Sequence, residues 1–346
     1  MVIGGRWNRV PWILYIFLLI IVADLASLLY ALWRGPFPLK VERGTPTAYL
    51  NLYVHVPAAW VSYLLFFLAM ISSIYYIRTR IEAWDDRAYS FALTGEVFGV
   101  VALVTGAAWA SESWGAPWNW DPRQTGVLLL ILAYLGYFAL RASIVDPDKM
   151  KLVTASYSIA AFSLVPLSFL AAYLQESLHP KASEAGSFLA LGGVALVFGS
   201  RILFATLTGL SASLLMSRRD RMPAVFRRAM AVFIIIALVI NGAFSLSLAS
   251  PYLVSEPRRV VDAILEYGRI AFLALDNGSS LSFDPPIEAP ISPASTEGEP
   301  SIIGHLVIVD DGSLEVVRHW SVAFNSMLYA LAVLCLVLAV YRRWSQ

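Results

Sequence analysis

Eight stretches of this chain are apolar for long enough to cross a bilayer: residues 11–33, 56–77, 91–111, 124–141, 152–173, 188–216, 229–249 and 321–341. A membrane-spanning helix needs about 20 such residues. In hydrocarbon every backbone N–H and C=O must be satisfied within its own segment, so each stretch has to be helical. The expected fold is an all-α polytopic membrane protein of about eight transmembrane helices. Composition agrees, with 58% hydrophobic and only 14% charged residues and a mean hydropathy of +0.68. Soluble domains are usually about one quarter charged. The net charge of +1 gives no basis for a nucleic-acid partner. The first stretch has a basic flank, Arg6 and Arg9, like a signal peptide, but its apolar run is too long and no clear cleavage site follows. It reads as a retained span.

The positions of the basic residues predict orientation. Arg6 and Arg9 precede span one, Arg78, Arg80 and Arg87 follow span two, and Arg141, Lys149 and Lys151 follow span four. Arg218, Arg219, Arg221, Arg227 and Arg228 follow span six, and Arg342 and Arg343 follow span eight. The opposite loops hold only Arg34, Lys40, Arg43, Arg123 and Lys181. By the positive-inside rule both termini are cytoplasmic. Within the bilayer, Asp24 and Arg201 lie at similar depth and are expected to pair, because an intramembrane charge needs a partner. Glu96 is expected to reach the inner interface, and Gly95 with Gly99 forms a helix-packing step.

Residues 250–320 are the one sizeable non-membrane part, a small external α+β segment between helices seven and eight. Ser255 and Pro257 suit a helix start, and Val260, Val261, Ile264, Leu265 and Ala271 suit an amphipathic helix ending at Asn277-Gly278. Residues 279–301 read as a loose connector, and 302–317 as a hairpin turning at Asp311-Gly312.

The orientation places the unusual residues together outside. "WGAPWNWDPRQT", 114–125, crowds three tryptophans into the loop between spans three and four. Gly115 and Pro117 forbid a regular helix there, so Trp114, Trp118 and Trp120 are displayed from irregular backbone. Such rings serve either as a lipid-headgroup belt or as a platform for a large flat ligand. Asp121-Pro122-Arg123-Gln124 is a helix-start signal, with Asp121 as N-cap, proline at the first helical position and Gln124 closing a capping box. Arg123 is a cation for a ligand carboxylate or a lipid phosphate. The chain has four histidines: His55, His179, His305 and His319. His55 opens span two, with Pro57 expected in its first helical turn. His179 lies between spans five and six. Imidazole is a common axial ligand of haem iron, and two can bind from opposite faces of the ring. The alternative for each histidine is a hydrogen-bonded interfacial residue.

The loop resembles the WWD signature of the haem-handling membrane proteins of cytochrome c maturation. "YVHVPAAW", 53–60, resembles its CcmC branch in particular. The resemblance covers roughly residues 10–220. It implies a site that holds b-type, non-covalent haem as the transferred ligand, with His55 and His179 as axial iron ligands. Trp114, Gly115, Trp118, Trp120 and Asp121 would form its core, with Arg123 beside it. It further implies presentation of haem to a CcmE-like chaperone, an ABC-type CcmA/CcmB complex and a CcmD-like small protein as partners, and a prokaryotic cytoplasmic membrane with the site facing the periplasm. It implies no classical enzyme activity. No Gly-Lys-Ser/Thr phosphate loop is present, so any ATP hydrolysis must come from a partner chain. The domain reading is a six-helix CcmC-like unit at 1–220, helix seven at 221–249, the external segment at 250–320, and helix eight with a cytoplasmic tail at 321–346. Two other functions stay open on the sequence: a CcsA-type cytochrome c synthase component, and a non-haem permease or scaffold whose tryptophans only anchor it.

Overall fold

The computed structural model describes residues 12–37, 46–179, 193–218, 224–254, 258–267, 269–287, 292–293, 300–301, 306–310, 313–316 and 320–345. Its helices are α1 (Trp12–Arg34), α2 (Leu52–Thr79), α3 (Glu82–Ser113), α4 (Pro122–Ser143), α5 (Pro147–Ala161), α6 (Leu164–Leu174), α7 (Val194–Met216), α8 (Ala224–Val254) and α9 (Trp320–Ser345). Eight candidate spans are long and apolar enough to cross a membrane, α5 and α6 together forming the fifth. The expected helical membrane fold is therefore present. Large apolar side chains such as Leu19, Leu132, Ile235 and Val239 are exposed around the bundle, as lipid contact requires.

The centre of the bundle is the α2–α3 pair, the most extensively packed of all, with α7 and α9 against both. Gly95 and Gly99 do serve this packing: a Cβ on either would lie 3.0 Å from Phe66 or Ser62 of α2. The last helix is built into the core, with Tyr329 and Trp344 fully buried and the Trp344 indole donating to the Leu215 carbonyl at 2.8 Å.

Asp24 and Arg201 pair as expected, Nη1 to Oδ1 at 2.6 Å, with both side chains fully buried. Two expectations about the spans fail. Glu96 does not reach an interface; it is 6% exposed and neither carboxyl oxygen has a hydrogen-bond partner among the described residues. Pro57 is not in the first turn of its helix. A 3-10 turn over Pro46–Asn51 runs directly into α2, so Pro57 sits in the helix interior.

Between α8 and α9 lies an antiparallel sheet of strands β1 (Arg258–Glu266), β2 (Arg269–Leu275), β3 (Ser280–Ile287), β6 (Leu306–Asp310) and β7 (Ser313–Val316), in the order β3-β2-β1-β6-β7. Two-residue strands β4 (Ser292–Pro293) and β5 (Pro300–Ser301) pair separately. Over Arg258–Glu266 and Arg269–Leu275 the expected helix is instead the β1–β2 hairpin; Ser255 and Pro257 lie outside the described residues. A β-bulge between Val260 and Asp262 shifts the pleat by one residue. Val260, Ala263 and Leu265 then face one side, a spacing of three and two that imitates a helical stripe. Strands β6 and β7 pair with Asp310 opposite Ser313, as the hairpin expectation requires; Asp311 and Gly312 themselves lie outside the described residues.

Candidate functional site

α2 starts, α3 ends, α4 starts and α6 ends at one pole of the bundle. His55, the tryptophan loop and His179 therefore lie at that pole; direct side-chain contacts join His179 to the loop, while His55 packs against α3.

His179 follows the end of α6. Its Nδ1 lies 2.8 Å from Oδ1 of Asp121. Oδ2 of Asp121 accepts from the Ser177 hydroxyl at 2.7 Å and the Leu178 N–H at 2.8 Å. Oδ1 also accepts from the Arg123 N–H at 2.9 Å, so Asp121 is the N-cap of α4 the sequence predicts. One buried carboxylate thus starts a helix, ties two loops together and orients an imidazole. Burial works against its ionisation, but the hydrogen bonds from His179, Ser177 and Leu178 outweigh this and hold its carboxyl well below the usual carboxylate range. An ionised Asp121 only accepts, so Nδ1 of His179 carries a proton, and in the neutral imidazole it is Nε2 that keeps the lone pair.

His55 reaches the same state by a different route. Its Nδ1 lies 2.9 Å from the Ala102 carbonyl of α3. A carbonyl also only accepts, so Nδ1 again carries a proton and Nε2 of the neutral ring keeps the lone pair. Among the described residues neither Nε2 has a hydrogen-bond partner. The ring of His55 lies so close to α3 that a Cβ on Gly106 would stand 2.6 Å from its Cε1. Trp109, one turn further along α3, meets the imidazole edge to face at 6.0 Å between ring centres.

The loop holds its rings in two groups. Trp114 lies edge to face with His179 at 5.0 Å, and Trp118 with Trp120 at 5.8 Å. Gly115 has φ +79° and Trp120 φ 54°, both left-handed. For a bulky residue this is strained, and the strained Trp120 is 75% exposed. Gln124 does not close a capping box. Its Oε1 accepts from the Asn119 N–H at 3.2 Å and its Nε2 donates to the Pro117 carbonyl at 3.3 Å, clamping the loop instead. The Arg123 guanidinium lies over the Phe169 ring at 5.2 Å, and its buried Nε has no partner among the described residues.

Sequence reasoning missed Gly106, Trp109, Ser177 and the Ala102 carbonyl. Ala102, Gly106 and Trp109 share one face of α3 by helical spacing, and that pattern was the available signal. It also missed Glu112, near the end of α3, whose carboxylate accepts from the backbone N–H and hydroxyl of Ser321 at the start of α9, at 3.2 and 2.8 Å. The last helix therefore starts beside the end of α3, close to the tryptophan loop. His305 and His319 lie outside the described residues.

Fold and site define a polytopic helical membrane protein with paired, oriented imidazoles and a tryptophan loop at one pole. The family model described as heme exporter protein C, CcmC, matches residues 7–220, and the chain belongs to this family, which acts in cytochrome c biogenesis. It is 33% identical over 172 residues to heme exporter protein C of Rhodobacter capsulatus, covering 49% of this chain and 67% of that one. It is 29% identical over 191 residues to heme exporter protein C of Paracoccus denitrificans, covering 51% and 76%. A putative cytochrome c biosynthesis ccmC-like mitochondrial protein of Marchantia polymorpha is 41% identical over 88 residues, 25% of this chain and 39% of that one. The family match ends before α8, the sheet and α9.

Proposed function

We propose that this pole binds b-type haem non-covalently, with His55 and His179 as its axial ligands, and presents it to a CcmE-like chaperone. The observation that carries this reading is the matched state of the two imidazoles. Each has Nδ1 committed to an oxygen acceptor and Nε2 left to donate. Ligand histidines are characteristically held in this way, with the second ring nitrogen hydrogen-bonded to a carboxylate or carbonyl. Trp114, Trp118 and Trp120 offer flat apolar surface, Gly115 lets the loop turn, Asp121 orients His179, and the unpartnered Nε of Arg123 suits a propionate. Bound haem would supply an iron centre for both imidazoles; the chain itself orients, encloses and releases it.

The excess of basic residues at the opposite pole supports a site facing the periplasm across a prokaryotic cytoplasmic membrane. An ABC-type CcmA/CcmB complex and a CcmD-like small protein are the partners this reading brings. The sheet between α8 and α9 is a candidate docking surface for the chaperone, because α9, the next element in sequence, starts beside the loop with Ser321 bonded to Glu112.

The deciding experiment is an absorption spectrum of detergent-purified protein loaded with haem. Bis-imidazole ligation gives a six-coordinate low-spin spectrum, and His55→Ala or His179→Ala should open one position. Spectra unchanged in both variants rule the assignment out.

A further inference from the structure

The buried Arg201–Asp24 pair does more than neutralise two charges. Pro57 has no N–H, so the carbonyl four residues earlier, that of Tyr53, loses its helical donor. An orphaned carbonyl inside a membrane bundle is costly. Arg201 supplies what is missing: its Nε donates to the Tyr53 carbonyl at 3.1 Å. Nη1 of the same guanidinium donates to the Asp24 carboxylate at 2.6 Å, the Asp24 carbonyl at 2.9 Å and the Ser27 hydroxyl at 2.8 Å. Tyr329 of α9 closes the cluster, its hydroxyl donating to Asp24 Oδ2 at 3.0 Å, with the guanidinium 4.8 Å over its ring. The Tyr53 side chain is pinned too, its hydroxyl donating to the Pro36 carbonyl at 2.6 Å. His55 is two residues along from this anchor and two before the proline.

We infer that Arg201 is a positioning residue for His55, replacing the N–H that Pro57 removes and so holding the start of α2 where the imidazole meets Ala102 and Gly106. This rests on the haem reading above. A structural ion pair would need only the Nη1 contacts. The Nε contact is made to the one carbonyl that Pro57 deprives of its donor, next to the proposed ligand. Three helices, α1, α7 and α9, thereby act on a site to which none of them contributes a proposed ligand.

The test is Arg201→Lys in haem-loaded protein. Lysine keeps the charge for Asp24 but has a methylene where arginine has Nε. The expected result is roughly a tenfold loss of six-coordinate relative to five-coordinate haem, the scale of one hydrogen bond from a charged donor. Pro57→Ala in the same chain returns an N–H to the Tyr53 carbonyl, and the low-spin spectrum should recover. A role for Arg201 confined to the Asp24 ion pair predicts no such rescue. If Arg201→Lys does not accumulate, Pro57→Ala should restore its accumulation by the same route. An unchanged spectrum in Arg201→Lys, or no rescue of spectrum or accumulation by Pro57→Ala, overturns the inference. His55→Ala separates the two levels. If it leaves the spectrum unaltered, the haem reading itself fails; if it alters the spectrum while Arg201→Lys does not, only the positioning role fails.

Discussion

Asp121 and His179 are 58 residues apart in sequence and 2.8 Å apart in space. Their contact makes the start of α4 and the orientation of a proposed haem ligand a single structural event. Asp121→Asn should retain much of the helix cap, because asparagine caps nearly as well. It loses the charge that sets the His179 tautomer, so haem coordination should weaken while the protein remains folded. Asp121→Ala should lose on the order of 1 kcal/mol from the cap and further stability from the stranded Ser177 and Leu178 donors. Thermal unfolding and haem titration of the two variants check this.

The same carboxylate sets a pH dependence. Its folded-state pKa lies below the usual range, so its contribution is fully present above the unfolded value of about 3.9 and is lost as pH falls below that. The stability difference between wild type and Asp121→Asn should persist at neutral pH and shrink below about pH 4. Denaturation of both proteins across that range measures it.

Gly106→Ala places a methyl 2.6 Å from Cε1 and 2.9 Å from Nδ1 of His55. The imidazole has to move off the Ala102 carbonyl. Overpacking of this kind costs about 1–3 kcal/mol, and the larger effect should be loss of six-coordinate haem. A low-spin spectrum of wild-type intensity in this variant would show that His55 need not sit against α3.

Replacing Trp114, Trp118 and Trp120 together with leucine keeps apolar surface and removes the flat rings. Haem content should fall while membrane insertion persists. Full haem content after detergent extraction would assign the three rings to lipid anchoring instead. Trp120 should be the most dispensable for stability, because it is the exposed one and leucine in a left-handed conformation is no worse strained.

Asn325 of α9 donates to the Asn51 side chain at 2.8 Å and the Thr105 carbonyl at 3.2 Å, and Asn51 donates to Ser321 at 2.6 Å. This buried network joins α9 to the helices that carry His55 and the loop. Asn325→Leu strands Asn51 and should destabilise by about 1–3 kcal/mol, with haem binding falling in parallel. Removing the sheet alone, with a short linker between α8 and α9, should spare haem binding and reduce transfer to the chaperone. Unimpaired transfer would remove the sheet from the docking surface.

Length and hydropathy sufficed for the helical membrane fold, because a bilayer leaves an apolar segment of that length one way to satisfy its backbone. The N-cap at Asp121 was legible for a similar reason: capping is local, and Asp-Pro at a helix start has a direct steric and hydrogen-bonding cause. The Asp24–Arg201 pair followed from depth alone. The strand character of residues 258–275 was not legible, since a bulge gave its inward residues a helical spacing. Nor was the site's interior. That Asp121 also holds His179, that the Ala102 carbonyl receives His55, and that Arg201 caps a carbonyl next to it are contacts between residues 47 to 148 apart. Local chemistry prescribed the helices and their ends. Which side chains meet at the pole was decided only when the helices packed, because hydrogen bonds act over about 3 Å and sequence distance carries no such information.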